Sequence, residues 1–330
     1  MSVSLPRPIL VTGAHRSGTT WVGRMLAAAR GVAYIAEPFN VRTPPSPARH
    51  FLHYVTPADE GAFRAYLHRL LTFRDAALYQ VHGRWRRLRQ AARVARCARW
   101  RLGRYRPLVK DPIAIFSAEW LARTFGMDVV VMVRHPAAFA SSLRRVNSCF
   151  DFNQLWAQPE LVRDHLGEFR GEIRLLGRTR PDIIDQAILL WRMIYSVARR
   201  YQLRHPDWTF LRHEDVSSRP RPEFAALFAR LGLDLSPAVA RAIAETSSAH
   251  NPREARPGLA HDLWRDSRAN VWSWAWRLTP DEVEYIRRET ADVAGAFYTD
   301  ADWDGAAVLA RRDRYDRSKT HSGEGVLIPG

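Results

Sequence analysis

The stretch Gly13-Ala14-His15-Arg16-Ser17-Gly18-Thr19-Thr20 has the residue types of an anion cradle. Its glycines permit a tight turn of exposed backbone N–H groups, and a helix starting at its end would add the positive pole of its dipole. Phosphate binding, and with it a nucleotide site, is the chemistry this suits. The spacing is nearly that of the loop G-x-x-x-x-G-K-[ST], but Thr19 stands where the lysine that reaches the β- and γ-phosphates would be. Kinase or NTPase chemistry is therefore disfavoured. The cation is Arg16, two residues before Gly18, positioned to neutralise a group directly above the loop. The plain alternative is a glycine turn that only joins strand to helix.

The elements around the loop agree with that reading. Ile9 to Thr12 is a short apolar run, and Thr19 to Ala29 has helix-forming composition with Gly31 as a stop, so the loop lies between strand and helix. A second unit has Ser117 capping a helix through Phe125, then the unbroken apolar run Val129 to Val133, which fits a strand buried on both faces of a parallel sheet. Arg134, His135 and Pro136 open the next helix. Together these units predict one open α/β sheet with ligand loops at the carboxyl ends of its strands. Helices are expected at roughly 59–73, 84–102, 181–202, 222–231, 237–245 and 280–297, and a short strand at Trp208 to Leu211. Residues 1–305 read as one domain and 306–330 as a loosely ordered tail, with no internal repeat or dividing linker.

At these residues the sequence resembles the sulfotransferases that use 3′-phosphoadenosine 5′-phosphosulfate (PAPS). Their 5′-phosphosulfate loop reads [KR]-S-G-[TS]-[TS] followed by an aromatic or apolar residue, matched here by Arg16, Ser17, Gly18, Thr19, Thr20 and Trp21. Their 3′-phosphate signature is a strand followed by an arginine, a proline two residues on and a serine eight residues on, matched by Arg134, Pro136 and Ser142. An arginine at a strand end can fork onto a phosphate, and a serine two turns into the following helix can donate a second bond. The resemblance implies a P-loop-like three-layer αβα fold with a central, mostly parallel sheet and helical insertions. It also implies PAPS as donor, adenosine 3′,5′-bisphosphate (PAP) as by-product and no metal.

Looser matches follow in family order over roughly residues 8–300. Trp208 to Val216 resembles the "YEDL" segment, whose aromatic residue lies by the adenine; His213 holds that position here. Arg265 to Arg268, followed by Trp274, Leu278 and Thr279, resembles the basic segment that closes over the 3′-phosphate, and Arg268 is carried over ahead of Arg265. Trp21 holds the adenine-stacking position, with a core tryptophan as the alternative. Transfer of a sulfuryl group needs a base and positive groups around the developing charge. Glu37, in an "EP" segment like that of carbohydrate-type members, is the expected base. Lys110 in Lys110-Asp111-Pro112 is expected to stabilise the sulfuryl oxygens, with Asp111 as the alternative base. His15 and His135 read as loop neighbours of the phosphates.

The composition sets the outer bounds. With 46% hydrophobic and 25% charged residues the chain is globular, which excludes disordered and collagen-like classes. Two cysteines exclude a disulfide framework, and no His/Cys cluster has zinc-site spacing. No apolar run approaches a membrane span, so a cytoplasmic protein is expected, with peripheral contact at the inner membrane surface as a further expectation. The formal charge of +16 favours anionic partners. Only Lys110 and Lys319 are lysines among the 50 basic residues, and ten arginines crowd into Arg84 to Arg106, around Trp85, Leu88, Val94, Cys97 and Trp100. That stretch could be a solvated helix, lie on an anionic membrane or hold an acidic acceptor; a nucleic-acid partner is disfavoured. Trp264, Trp272, Trp274 and Trp276 could offer a sugar-stacking surface or pack the C-terminal closure. The expected function is sulfuryl transfer to a carbohydrate or glycolipid hydroxyl. The alternatives are a small-molecule or peptidyl-tyrosine acceptor, or a P-loop nucleotide kinase.

Overall fold

The computed structural model describes residues 6–42, 45–75, 86–179, 181–254 and 263–304. Five strands, β1 (Ile9–Gly13), β2 (Val32–Ala36), β3 (Arg106–Lys110), β4 (Asp128–Val133) and β5 (Thr209–Arg212), form one sheet in the order β2-β3-β1-β4-β5, parallel throughout. The chain runs from β1 out to the β2 edge, returns through β3, and crosses to the other side of β1 for β4 and β5. Its loops therefore converge at the carboxyl ends of the central strands, where open α/β sheets bind ligands.

Both faces of the sheet are covered, and the side-chain alternation divides them. Leu10, Ile35, Val109, Val129, Val131 and Val133 join one core, with the helices α2 (Glu60–Leu71), α4 (Ala118–Phe125), α5 (Pro136–Arg145) and Ile183–Arg204. Ile9, Val11, Val32, Leu108, Val130 and Met132 join the other, beneath α1 (Thr19–Ala27) and the helices Pro220–Arg230 and Pro237–Thr246. This is the three-layer arrangement the apolar β4 run predicts: all five residues Val129 to Val133 are at most 2% exposed. Burial of each contributes on the order of 1.5–3 kcal/mol, so a polar replacement there would break the sheet's centre.

Local chemistry sets the ends of these elements. Gly126 in the left-handed region ends α4. The Thr279 side chain accepts from the Glu282 amide while Glu282 accepts from the Thr279 amide, a capping box that starts helix Pro280–Ala294. Ser117 lies at the start of α4 as expected, but it caps nothing with its side chain: its hydroxyl donates to the His53 carbonyl and accepts from the Val55 amide. Two features depart from the sequence expectation. Strand β3 contains Arg106 and Pro107, which mask its strand character, and short helices fill 153–176, where the pattern was too broken to read. The expected basic helix is α3 (Arg86–Leu102); Arg84, Trp85 and the 306–330 tail lie outside the described residues. No helix among the described residues is long and apolar enough to cross a membrane.

Candidate active site

A cavity of about 350 Å³ opens at the carboxyl ends of the strands. Each of the five strand-end loops gives it at least one wall residue. These include Arg16 and Gly18 to Trp21 after β1, Glu37 and Asn40 after β2, Pro112 and Ile113 after β3, Arg134 and Ser142 after β4, and His213 and Ser217 after β5. The C-terminal segment closes one side with Leu263, Arg265, Ser267, Asn270 and Arg277.

The loop after β1 is held in a conformation few sequences tolerate. Gly13 has φ +139°, and a Cβ there would sit 2.4 Å from the Met132 carbonyl oxygen, so only glycine lets β1 and β4 approach as they do. Gly18 has φ +91° and lies against His213, whose Nδ1 would be 2.6 Å from a Cβ. Arg16 itself has φ +66°, strain of the kind that collects at functional loops. The Ser17 amide and hydroxyl both donate to the Ala14 carbonyl and close the turn. Helix α1 then starts at Gly18 with no side-chain cap, which leaves its first-turn amides facing the cavity.

The two sequence motifs meet. Arg16 Nε donates to Ser142 Oγ at 3.2 Å, and the Arg134 guanidinium donates to the Arg16 carbonyl. Arg134 is buried, with its backbone fixed on both sides: its amide donates to the Tyr195 hydroxyl, and Trp191 Nε1 donates to its carbonyl. Burial, reinforced by Arg145, Arg265 and Arg277, lowers the Arg16 pKa to about 10. Burial also lowers that of Arg134 to about 10, with Arg16 and Arg265 adding to it and Glu214 opposing. Five arginines and a single carboxylate, Glu37, are thus among the described wall residues, and a polyanion would relieve their repulsion.

Glu37 has φ +47°, and its carboxylate is held at both oxygens. Lys110 Nζ pairs with Oε1, and Asn40 Nδ2 donates to Oε2 at 2.9 Å. Lys110 is buried and does not line the cavity; its stem packs over Gly23, and its ammonium stands behind Glu37. The expected contact of Lys110 with a sulfuryl group is therefore not the arrangement found. Asp111 is buried completely and also lies off the wall. Its oxygens accept from the Phe39 and Ile113 amides, tying the loops after β2 and β3 together, and burial with nearby Glu37 raises its pKa to about 7 despite those bonds.

The remaining expected residues separate into those on the wall and those off it. Trp21 lines the cavity, donates from Nε1 to Thr246 Oγ1 and meets Phe224 edge-on, so it is both wall and core. His213 lines it too, and burial with Arg134 and Arg265 pushes its pKa well down. Its Nε2 lies 3.4 Å from both Asn270 Nδ2 and Ser217 Oγ, and its Nδ1 is a buried nitrogen with no partner. His15 is on the wall between Phe51 and Phe139, kept neutral by burial and Arg16 at about 4. His135 is off it, stacked on Trp274 beside Tyr298 and Trp303. Arg268 corrects the sequence expectation: it is exposed, donates to the Ser218 carbonyl and is not on the wall, where Arg265 stands instead. None of the four C-terminal tryptophans lines the cavity. Sequence reasoning missed Asn40, Arg145, Thr246, Asn270 and Arg277. One arginine among 48 carries no signal, and Thr246 reaches Trp21 only through the fold.

A parallel sheet with an uncapped glycine loop, and beside it a second arginine–serine pair, has the parts of a nucleotide-dependent group-transfer site. Residues 8–237 match the sulfotransferase family, and the chain belongs to it: it is a sulfotransferase using PAPS. Among solved structures the chain is similar to the sulfotransferase domain of the Synechococcus PCC 7002 olefin synthase, at 16% identity over 91% of this chain and 98% of that one, with a TM-score of 0.46. It is similar to the sulfotransferase domain of the curacin biosynthetic pathway at 16% identity over 88% and 99%, TM-score 0.47. It is similar to mouse sulfotransferase SULT7A1 complexed with PAP at 12% identity over 93% and 89%, TM-score 0.40. No curated protein sequence matches the chain. Arg265, Asn270 and Arg277 lie beyond the matched span.

Proposed function

We propose that this sulfotransferase transfers the sulfuryl group to a carbohydrate or glycolipid hydroxyl, with Glu37 as general base. Arg16 to Thr20 hold the 5′-phosphosulfate. Arg134 and Ser142, joined by Arg265 in the role expected of Arg268, hold the 3′-phosphate. Trp21 and His213 flank the adenine. The acceptor hydroxyl attacks sulfur and gives its proton to Glu37, while the bond from sulfur to the 5′-phosphate oxygen breaks and its electron pair leaves on PAP. Arginines and loop amides supply the countercharge, so the reading requires no metal. Lys110 acts through Glu37, holding its carboxylate in place at the cavity wall.

The observation that carries this reading is the Arg16–Ser142 contact, which joins two motifs 126 residues apart at one cavity whose described wall has a single carboxylate. The test is transfer of labelled sulfate from PAPS to a panel of glycans, glycolipids, phenols and tyrosyl peptides, with Arg16→Ala and Glu37→Ala beside the parent. Arg16→Ala is expected to lose nucleotide binding. Glu37→Ala is expected to bind PAP and fail to turn over. Full activity in Glu37→Ala would remove Glu37 from the mechanism, and turnover of phenols or tyrosyl peptides alone would remove the sugar acceptor.

A further inference from the structure

A second cavity, of about 410 Å³, opens at the opposite end of the strands from the active site. One wall runs from Arg24 through the end of α1 to Val32 and Tyr34 at the start of β2, and the other is Arg99, Trp100 and Tyr105 at the end of α3. Arg24, Arg30 and Arg99 line it, and no acidic residue is among its described wall residues. The Arg24 guanidinium stacks over the Tyr34 ring at 4.3 Å, and Arg99 lies 5.9 Å from the Tyr105 ring. Stacking holds a guanidinium by its face and leaves its N–H edge for an anion with oxygens to fork.

The helix beside this groove carries a second signature. Helix α3 has seven arginines and no acidic residue. Cys97 and Trp100 pack one side into the core, while the outward side combines exposed Arg96, Arg99 and Arg101 with Val94, 53% exposed, and Leu102, 80% exposed. In water these two aliphatic side chains bury nothing, whereas in a headgroup layer arginines meet phosphates while aliphatic groups enter the acyl boundary. A pocket for free phosphate would explain the groove but not the exposed Val94 and Leu102.

We propose that the groove takes the phosphate of an anionic phospholipid headgroup, and that α3 lies on the bilayer surface beside it. This rests on residues remote from the catalytic cavity and stands independently of the acceptor.

The test is co-sedimentation of the full chain with phosphatidylcholine vesicles, with and without phosphatidylglycerol, alongside PAP binding as a check on folding. The chain is expected to sediment only with the anionic vesicles, less so as salt rises. Arg24→Gln and Arg99→Gln should each weaken binding roughly five-fold, and Val94→Ser with Leu102→Ser should weaken it at unchanged charge. PAP affinity should stay the same throughout. Undiminished binding in both arginine variants would overturn the groove as the site. Full competition by inorganic phosphate, with no effect of the serine variants, would make it a free-phosphate pocket. Tighter binding to duplex DNA, lost in the same variants, would reassign it to nucleic acid.

Discussion

The discrimination between PAP and AMP measures the proposed 3′-phosphate site directly, because the two ligands differ only in the group that Arg134 and Ser142 are proposed to hold. Ser142 is 3% exposed and Arg134 6%, so bonds made there compete little with water. A hydrogen bond between charged groups contributes about 1.5–3 kcal/mol and a hydroxyl bond about 1 kcal/mol. Arg134→Gln should therefore lower PAP affinity by roughly ten- to a hundred-fold, and Ser142→Ala by roughly five-fold. Because Arg16 touches Ser142 and its carbonyl receives Arg134, the double variant should lose less than the product of the two single effects. The assay is calorimetric titration of both nucleotides at one ionic strength, where AMP binding also reports that each variant is folded. If the ratio of PAP to AMP affinity is the same in the parent and in both single variants, the assignment of this pair is refuted.

Other perturbations read out other parts of the site. Glu37→Gln keeps shape and removes the proposed base, so kcat should fall about 10²- to 10⁴-fold with PAP affinity retained; a loss in KM alone would contradict the role. Lys110→Met should lower kcat through Glu37, again at unchanged PAP affinity, as seen by comparing turnover with calorimetry. Gly13→Ala puts a Cβ 2.4 Å from a backbone oxygen at φ +139°, and a loss of about 2–3 kcal/mol in denaturant unfolding is expected. Stability should also depend on pH from both sides. His15 and His135 have pKa values lowered by burial to about 4 and about 3, so their contribution is full above 6.5 and is lost as pH falls toward those values. Asp111, raised by burial to about 7, contributes fully below 3.8 and loses that contribution as pH rises through about 7. Thermal unfolding should therefore peak between pH 6.5 and 7. His135→Phe, which gives up no hydrogen bond because both ring nitrogens lack partners, should flatten the acid limb.

What the sequence made legible follows from how local each determinant is. The β1 loop could be read because a run of eight residues carries its whole mechanism: glycines for the turn, amides for the anion, a helix start for the dipole. Strand β4 was legible because burial on both faces demands five apolar residues in a row. Strand β3 was not, since it holds Arg106 and Pro107 and owes its place inside the sheet to β2 and β1 on either side. That Arg265 and not Arg268 lines the cavity was not legible for a related reason. Arg265 lies just before the short helix Ser267–Val271 and Arg268 within it, so the direction each takes depends on how that helix docks on residues 213–218, and no spacing rule within four residues encodes it.

The same distinction separates Lys110 from its expected role. It ends β3, the strand beside β1, where an ammonium could reach either the donor or Glu37. The fold decides between them by parallel register. Ala36 pairs with Lys110, so Glu37 begins its turn directly over the lysine, and the Glu37 amide donates to the Lys110 carbonyl at 2.8 Å. Tyr34 and Gly23 close around the lysine stem; a Cβ at Gly23 would lie 3.0 Å from Lys110 Cγ. With its stem enclosed, the ammonium is held at the carboxylate rather than at the donor. A lysine kept out of the cavity also leaves the charge there to arginines, which stay protonated even when burial lowers them to about 10. The division of labour then follows from chemistry. On the proposed reading, guanidiniums that stay charged when buried are the groups suited to the donor's phosphates, and the one carboxylate on the described wall, backed by a buried ammonium, is the proposed proton acceptor.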